Sequence, residues 1–384
     1  MARWSAADRP QRRIVVKVGT RLVTHANGKL NPDYIERLVR ELADLRNRGL
    51  DVILVSSGAI GAGIGRMGML KRPEEIPEKQ AAAAVGQGLL IQIYEKFFTE
   101  YGLIVAQILL TRADLVSRRR YINACNTIST LLRWGVVPII NENDSISVQE
   151  IKFGDNDQLS ALVAGLSDAD LLVILTDIDG LYTANPRKYT DAVLVPTVRE
   201  ITAAVKSWGD TSDDNLATGG MVTKLQAAEM ATSSGIGMVI ANGTIPAVLH
   251  RILDGEQVGT YFYPQKTFLN RRKRWIAFGR VVQGRVTIDQ GAREALCRDG
   301  KSLLPVGVIS VDGTFDPGAL VAVLDQAGTE IGRGLCNFSS AELAKIKARP
   351  SSEIDILIER RTAAVEVIHR DNLVLRQELL NNMR

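Results

Sequence analysis

The chain has 384 residues, of which 46% are hydrophobic, and its formal net charge is only +4. That length is sufficient for two domains with a substantial buried core. A charge this small gives no general reason to expect nucleic acid or an anionic membrane as a partner. Because no apolar run approaches ~18 residues and the polar segment Met1–Arg13 has no signal-peptide core, we expect a cytoplasmic protein without membrane contact.

Cysteine and histidine are too few and too scattered for the sites they usually form. The three cysteines, Cys125, Cys297 and Cys336, are far apart, odd in number and without a CxxC spacing. We therefore expect buried thiols in a reducing compartment rather than disulfides or a zinc site. The three histidines are equally dispersed, which argues against a histidine metal centre or a Ser-His-Asp triad. We expect no metal site formed by the protein itself.

Strand-like and helix-like segments alternate through the first two-thirds of the chain. The predicted elements are, in order, a strand from Ile14, a helix from Asn31 to Gly49, a strand at Asp51–Val55, a helix over Gln80–Glu100, a strand at Ile104–Leu110, a helix over Arg118–Trp134, a strand at Val136–Ile140, a helix opening near Gly154 and a strand at Leu171–Leu175. Near-continuous apolar strands separated by amphipathic helices predict an α/β fold, with a mostly parallel sheet covered by helices on both faces.

The pattern changes near Asn270, where the basic run Arg271–Arg274 precedes short strands separated by turn residues. Strands at Gly284–Ile288, Val308–Val311 and Leu320–Leu324 indicate a small β-rich domain. We therefore predict four regions, which are an α/β domain at 1–268, a basic linker at 269–280, a β-rich domain at 281–360 and a C-terminal tail at 361–384.

Two lysines lie beside glycine-containing segments about two hundred residues apart. Lys17 lies just inside the first strand, and Lys224 follows the pair Gly219-Gly220, where a helix begins. Burying a charge among β-branched residues is costly, so Lys17 should emerge at the carboxyl end of its strand with a partner. Gly19 then offers a turn whose backbone amides can approach an anion. Together the two lysines suggest a clamp around phosphate.

Further polar motifs also follow strands directly, and in open α/β sheets such loops converge on one crevice. The small residues of Ser57–Gly63 would let the backbone lie against a ligand, while Ser57 supplies a hydroxyl group. Asn141–Asp144 and Gly154–Asp157 are dense clusters of acids and amides. One such cluster alone would favour solvated turns and helix caps. Two of them suggest carboxylates that hold an ammonium group and asparagines that bind a carboxylate.

The order of these motifs resembles the amino-acid kinase family, and in particular its glutamate-phosphorylating members that carry a C-terminal PUA domain. The resemblance covers nearly the whole chain. Aspartate-directed members carry regulatory ACT domains instead, and members that act on acetylglutamate, carbamate or uridylate lack the PUA-like end. The matching motifs are Lys17–Thr20, Val55–Ala59, Asn141–Asp144, Gly154–Asp157, Thr176-Asp177 and Thr218–Lys224.

The resemblance implies ATP-dependent phosphorylation of the side-chain carboxylate of L-glutamate to L-glutamyl 5-phosphate, the first step of proline biosynthesis. Mg²⁺ would be carried by the nucleotide. It also implies feedback inhibition by proline, a homo-oligomer and handover of the product to glutamyl-phosphate reductase. Since a glutamate carboxylate with a pKa near ~4.3 is ionised at neutral pH, the reaction needs no general base.

The resemblance also assigns roles to individual residues. The implied catalytic residues are Lys17, Lys224 and Asp157. The implied glutamate-binding residues are Ser57, Asp144 and Asn156. The implied nucleotide-binding residues are Lys17, Thr176, Asp177, Thr218, Gly219, Gly220, Met221, Val222, Thr223 and Lys224.

Two alternatives stay open on the sequence alone. One is a sibling kinase that acts on aspartate or acetylglutamate. The other is an RNA-binding protein that uses the PUA-like domain and Arg271–Arg274 as its RNA surface. A substrate panel tests the first, and an RNA titration at two salt concentrations tests the second, because phosphate-backbone binding depends steeply on salt.

Overall fold

A computed structural model describes residues 13–25, 27–69, 71, 73–146, 156–186, 188–209, 220–265, 276, 282–350, 353–358 and 365–376. The chain divides into two compact units, Met1–Gln265 and Lys266–Arg384. The four predicted domain borders remain a prediction, and Arg271–Arg274 lies outside the described residues. Nowhere in the described part of the chain is there a helix long and apolar enough to cross a membrane.

The described residues of the first unit form an eight-stranded sheet in the order β3-β4-β2-β1-β5-β7-β8-β6. Its pairs are parallel except for β7 with β8, which are antiparallel. The strands are β1 (Arg13–Val18), β2 (Asp51–Val55), β3 (Val105–Leu110), β4 (Val137–Glu142), β5 (Leu171–Thr176), β6 (Thr197–Val198), β7 (Gly237–Asn242) and β8 (Thr260–Phe262). The predicted mostly parallel sheet is confirmed.

The helices of this unit connect the strands and cover the sheet. They are α1 (Thr20–Val23), α2 (Pro32–Asn47), α3 (Ala59–Met67), α4 (Ile76–Glu100), α5 (Arg112–Val116), α6 (Arg118–Arg133), α7 (Asn156–Leu166), α8 (Ala203–Gly209), α9 (Met221–Ser233) and α10 (Val248–Leu253). Helix α2 begins as predicted, because the Asn31 side chain accepts a hydrogen bond from the Tyr34 backbone N–H and Pro32 occupies the first turn.

Strand β1 lies in the middle of the sheet, between β2 and β5. Val15 and Val16 are fully buried, so both faces of this strand are covered and its sequence shows no alternation. The chain leaves β1 towards β2 and leaves β5 towards β7, which lies on the opposite side. The carboxyl ends of β1 and β5 therefore flank a topological switch point, where open α/β sheets bind their ligands.

The small residues after β2 form a helix rather than a ligand-binding turn. Gly58 has φ 101°, which favours glycine, and it precedes α3 directly. A Cβ atom on Gly63 would lie 1.9 Å from the Ala82 carbonyl oxygen, and one on Gly86 would lie 1.8 Å from the Ala59 carbonyl oxygen. The missing side chain of Gly63 therefore allows α3 to pack closely against α4, and the approach of Ser57–Gly63 to a ligand stays a prediction.

In the second unit, the described residues form a five-stranded sheet in the order β10-β9-β11-β12-β13. Its strands are β9 (Gly284–Ile288), β10 (Val308–Asp312), β11 (Leu320–Leu324), β12 (Glu330–Leu335) and β13 (Leu373–Leu375), and its helices are α11 (Gln290–Cys297), α12 (Ser340–Ile346) and α13 (Ile354–Leu357). Strand β13 pairs antiparallel with β12, and Val367 and Ile368 are fully buried. Residues of 365–376 thus take part in this sheet and its core.

Candidate active site

Functional side chains from three strands or the loops after them, and from one helix, meet at the carboxyl edge of the first sheet. Lys17 lies near the end of β1, Asn141 near the end of β4, and Ser57 two residues after β2. Asn156 and Asp157 open helix α7, and hydrogen bonds or ion pairs join this pair of residues to all three strands. The structure therefore brings the predicted catalytic residues and two of the predicted glutamate-binding residues into one region.

Asp157 holds two lysines, one on each carboxylate oxygen. Lys17 Nζ lies 2.6 Å from Oδ1, and Lys224 Nζ lies 3.1 Å from Oδ2. The hydroxyl group of Thr223 donates to Oδ2 at 3.0 Å. Lys17 is 3% exposed, Lys224 is 4% exposed and Asp157 is fully buried. We call Lys17, Asp157 and Lys224 the charged triad, which carries one net positive charge.

The pKa of Asp157 reflects its burial and its contacts with both lysines. Burial alone would raise the pKa of this carboxyl group, because desolvation disfavours its charged form. The ammonium groups of Lys17 and Lys224 outweigh that effect by Coulomb attraction and hydrogen bonding, and they hold the pKa well below its ordinary value. Asp157 is therefore a carboxylate at neutral pH.

Local structure explains why these side chains meet. Asp157 lies in the first turn of α7, where the helix dipole favours a negative charge. Lys224 lies in the first turn of α9, which begins after Gly220 in an extended conformation. Both helices therefore begin beside this region, and the N-terminus of a helix is an arrangement that suits phosphate. Thr218 and Gly219, which were predicted to contact the nucleotide, lie outside the described residues.

Beside the charged triad, Asn156 is the centre of a neutral hydrogen-bond network. Its Nδ2 atom lies 2.9 Å from the Ser56 carbonyl oxygen, 2.9 Å from Ser57 Oγ and 2.8 Å from Asn141 Oδ1. Asn156, Ser57 and Asn141 are all buried. Two predicted glutamate-binding residues, Ser57 and Asn156, are thus in direct contact.

Two residues of helix α4 extend this network and carry no sequence motif. Gln87 Oε1 accepts a hydrogen bond of 2.8 Å from Asn141 Nδ2. The hydroxyl group of Tyr94 lies 3.0 Å from Ser56 Oγ, and Tyr94 is fully buried. Burial raises the pKa of the Tyr94 hydroxyl far above its ordinary value, so it stays protonated. Sequence reasoning missed both residues, since each is a single polar residue within an otherwise ordinary helix.

The remaining predicted residues lie at the same edge of the sheet. Thr176 ends β5 and Asp177 follows it, and Arg21 Nη1 donates to Asp177 Oδ2 at 2.9 Å. Burial raises the pKa of Asp177, but the hydrogen bond and charge of Arg21 outweigh it and lower that pKa. Asp144 is half-buried in the turn after β4. Among the described residues, no group of three or more His, Cys, Asp or Glu is placed to hold a metal ion.

Comparison with protein families gives two matches along the chain. Residues 12–242 match the amino acid kinase family. Residues 284–358 match the PUA domain. The first match contains every residue of the charged triad and of the neutral network, and the second match lies within the second unit.

Curated relatives match almost from end to end. Glutamate 5-kinase from Moorella thermoacetica is 54% identical over 95% of this chain and 96% of its own length. Glutamate 5-kinase from Geobacter sp. (strain M21) is 48% identical over 95% of this chain and 97% of its own length. Among solved structures, UMP kinase from Bacillus anthracis covers 68% of this chain and all of its own, with 17% identity and a TM-score of 0.47, a likeness that carries no further argument.

Proposed function

The chain belongs to the amino acid kinase family, and on this premise we propose that it transfers the γ-phosphoryl group of ATP to the side-chain carboxylate of L-glutamate. The product is L-glutamyl 5-phosphate, and the reaction is the first step of proline biosynthesis. The observation that supports this most is the charged triad beside the neutral network, at the switch point of the sheet. The triad suits the transferring phosphoryl group, and the network suits a small polar acceptor.

The chemistry requires two anions to come together, because the acceptor carboxylate and the γ-phosphate are both negatively charged. Lys17 and Lys224 supply fixed positive charge in a buried region, where electrostatic stabilisation of the transferring group is strongest. The carboxylate of Asp157 holds both ammonium groups in place and offsets the electrostatic repulsion between them. Mg²⁺ enters as part of the Mg·ATP substrate and neutralises charge on the phosphate oxygens.

For the acceptor, Ser57, Asp144 and Asn156 are the proposed glutamate-binding residues. The carboxylate of Asp144 matches the α-ammonium group of glutamate in charge. Ser57 and Asn156 supply a hydroxyl and an amide group, which hydrogen-bond to carboxylates. Because these two side chains are already held by each other, the subsite has a fixed shape before glutamate arrives.

For the nucleotide, the proposed residues lie on the opposite side of β1. Thr176 ends β5 and Asp177 follows it, and Lys17 on the neighbouring strand β1 pairs with Ile174 of β5. The N-terminus of α9, from Met221 to Lys224, directs backbone N–H groups towards phosphate. Thr218, Gly219 and Gly220 complete this set as proposed from the sequence.

The wider setting is also part of the proposal. Proline would act as a feedback inhibitor, the protein would form a homo-oligomer in the cytoplasm, and the reactive acyl phosphate would pass to glutamyl-phosphate reductase. RNA binding by the second unit is the alternative from another class. It depends on Arg271–Arg274, and the described residues do not include this run.

A substrate panel with an ADP-release assay tests the proposed function directly. We expect ADP release that depends on L-glutamate, with aspartate and acetylglutamate giving at most background rates. A preference for either of those substrates would contradict the proposal. An RNA titration at two salt concentrations separates the other alternative, since tight, steeply salt-dependent binding would favour it.

A further inference from the structure

We propose that Gln87 is a positioning residue for the acceptor subsite. It accepts a hydrogen bond from the Asn141 side-chain amide, and together with the Glu142 backbone N–H it holds the amide whose oxygen contacts Asn156. The inference rests on the proposed function, because Asn156 positions an acceptor only if it binds one. Gln87 itself belongs to none of the motifs that carry the family resemblance.

The first step is the contact between Gln87 and Asn141. A side-chain amide has an oxygen at one end and a nitrogen at the other, so a single hydrogen bond decides which end faces which way. Gln87 Oε1 accepts from Asn141 Nδ2 at 2.8 Å. The Asn141 oxygen accepts from the backbone N–H of Glu142 at 2.8 Å, so Gln87 holds the nitrogen end of this amide and the Glu142 backbone holds its oxygen end.

The second step is the contact between Asn141 and Asn156. Asn141 Oδ1 lies 2.8 Å from Asn156 Nδ2, so Asn156 presents its nitrogen to this side of the subsite. With its nitrogen so placed, Asn156 also reaches Ser57 Oγ at 2.9 Å. The Asn141 amide that Gln87 and the Glu142 backbone hold is thus linked through Asn156 to Ser57, and both of these are proposed glutamate-binding residues.

Because Asn141 is buried, the loss of its hydrogen bond to Gln87 would be costly. Asn141 is 2% exposed, so an Asn141 nitrogen without its acceptor would remain buried and unsatisfied. If the Asn141 amide turned over to avoid that, its nitrogen would face the nitrogen of Asn156, and two donors would oppose each other. The first result leaves the Asn141 amide held at its oxygen end alone, and the second breaks its contact with Asn156.

The neighbouring residue fixes the position of Gln87 itself. A Cβ atom on Gly86 would lie 1.8 Å from the carbonyl oxygen of Ala59, so α4 lies directly against the first turn of α3 at this point. Helix α3 begins two residues after Ser57. The register of Gln87 against the subsite is therefore set by backbone packing rather than by a flexible side chain.

The test compares Gln87→Met with Gln92→Met. Methionine has a similar length and flexibility but lacks the carbonyl acceptor, and Gln92 is an exposed glutamine on the same helix. We expect Gln87→Met to raise the KM for glutamate about threefold to tenfold, which is the usual range for one hydrogen bond. The KM for ATP and the unfolding midpoint should change little, and Gln92→Met should match the wild type throughout.

A double-variant cycle asks whether Gln87 acts through Asn156. In an Asn156→Ala background, Gln87→Met should change the KM for glutamate less than twofold, whereas two independent effects would multiply. If Gln87→Met does not fold, Gln87→Asn, which withdraws the acceptor by one methylene group, carries the same expectation.

The outcomes separate the two proposals. A wild-type enzyme with no glutamate-dependent ADP release overturns both the proposed function and this inference. An active wild-type enzyme overturns the inference alone if the glutamate KM of Gln87→Met is unchanged, if the KM for ATP rises equally, or if the two variants act independently.

Discussion

Asn156 and Asp157 are neighbours at the start of α7, yet they belong to networks of opposite character. Asn156 is held by neutral oxygen atoms from Ser56, Ser57 and Asn141. Asp157 is held by two ammonium groups and a threonine hydroxyl. Two consecutive residues therefore belong to a neutral, shape-defining region and to a charged one.

The difference follows from what each region has to do. Neutral hydrogen bonds fix shape and are about equally strong before and during the reaction, so they govern binding. Fixed charges gain in strength as charge moves, so they govern the rate. If this division is right, substitutions in the charged triad should lower kcat, and substitutions in the neutral network should raise the KM for glutamate.

The largest expected effect is on stability, after Asp157→Asn. Removing the carboxylate leaves two buried ammonium groups side by side, which should lower the free energy of unfolding by about 3–5 kcal/mol. Chemical unfolding at pH 7 measures this, with Asp191→Asn, at an exposed aspartate, as the control. An Asp157→Asn variant as stable as the control would show that the triad does not depend on its carboxylate.

The stability difference between the wild type and Asp157→Asn should also depend on pH. The pKa of Asp157 in the folded protein lies below its ordinary value near ~3.9, so the carboxylate stabilises the fold above that pH. The contribution is lost as the pH falls from about 4 towards the lowered pKa. The stability difference between wild type and Asp157→Asn should therefore be constant from pH 7 to about 5 and shrink below about pH 4. A difference that grew in acid would have the wrong sign for this linkage.

Next in size is the effect of the lysines on turnover. Lys17→Ala and Lys224→Ala should each lower kcat by about 10²–10³, with a smaller change in the KM for glutamate, because each removes charge that acts during transfer. Lys206→Ala is the matched control, since Lys206 is an exposed lysine on α8 paired with Glu229. Normal turnover with only a raised KM would mean that the lysines act in binding and not in the transfer step.

The proposed glutamate-binding residues should give the opposite pattern. Asn156→Ala and Asp144→Ala should raise the KM for glutamate about tenfold or more and leave the KM for ATP nearly unchanged, since the proposed partner of both residues is glutamate and not the nucleotide. Steady-state kinetics with each substrate varied in turn provide the measurement. Asn47→Ala, at an exposed position at the end of α2, serves as the control. Equal losses for the two substrates would mean that the subsites are assigned to the wrong loops.

The smallest expected effect comes from removing the second unit. Both networks lie within Met1–Gln265, so a chain truncated after Phe268 should keep its circular dichroism signature and glutamate-dependent ADP release within a few-fold of the full chain. Some loss of stability or of regulation is compatible with this. A soluble, folded but inactive truncated chain would show that the second unit contributes to the active site.

The sequence predicted what depends on local patterns. Lys17 was predicted to find a partner at the end of its strand because a buried charge needs one, and Asp157 is that partner. Helix α3 was not predicted, because its glycines disfavour a helix on their own and only close packing against α4 explains them. Gln87 was not predicted for a related reason. Its role depends on its contact with Asn141, which lies 54 residues away in the chain.

Short strands whose stability is entirely tertiary are equally hard to predict. Leu373–Leu375 is a strand only because the edge of β12 is present to pair with it. Three apolar residues near a chain end carry no periodic signal by themselves.

The central position of β1 also affects how the protein is made. Ile14 pairs with Val52 on one side and with Leu171 on the other, and Leu171 is synthesised about 157 residues after Ile14. On a ribosome that adds ~5–20 residues per second, one edge of this apolar strand stays open for about 8–30 s. An open strand edge is a site of aggregation, so we expect the nascent chain to be most vulnerable during that interval. Asp157 emerges just before β5, so Lys17 gains its counter-charge and its second strand partner at nearly the same moment of synthesis.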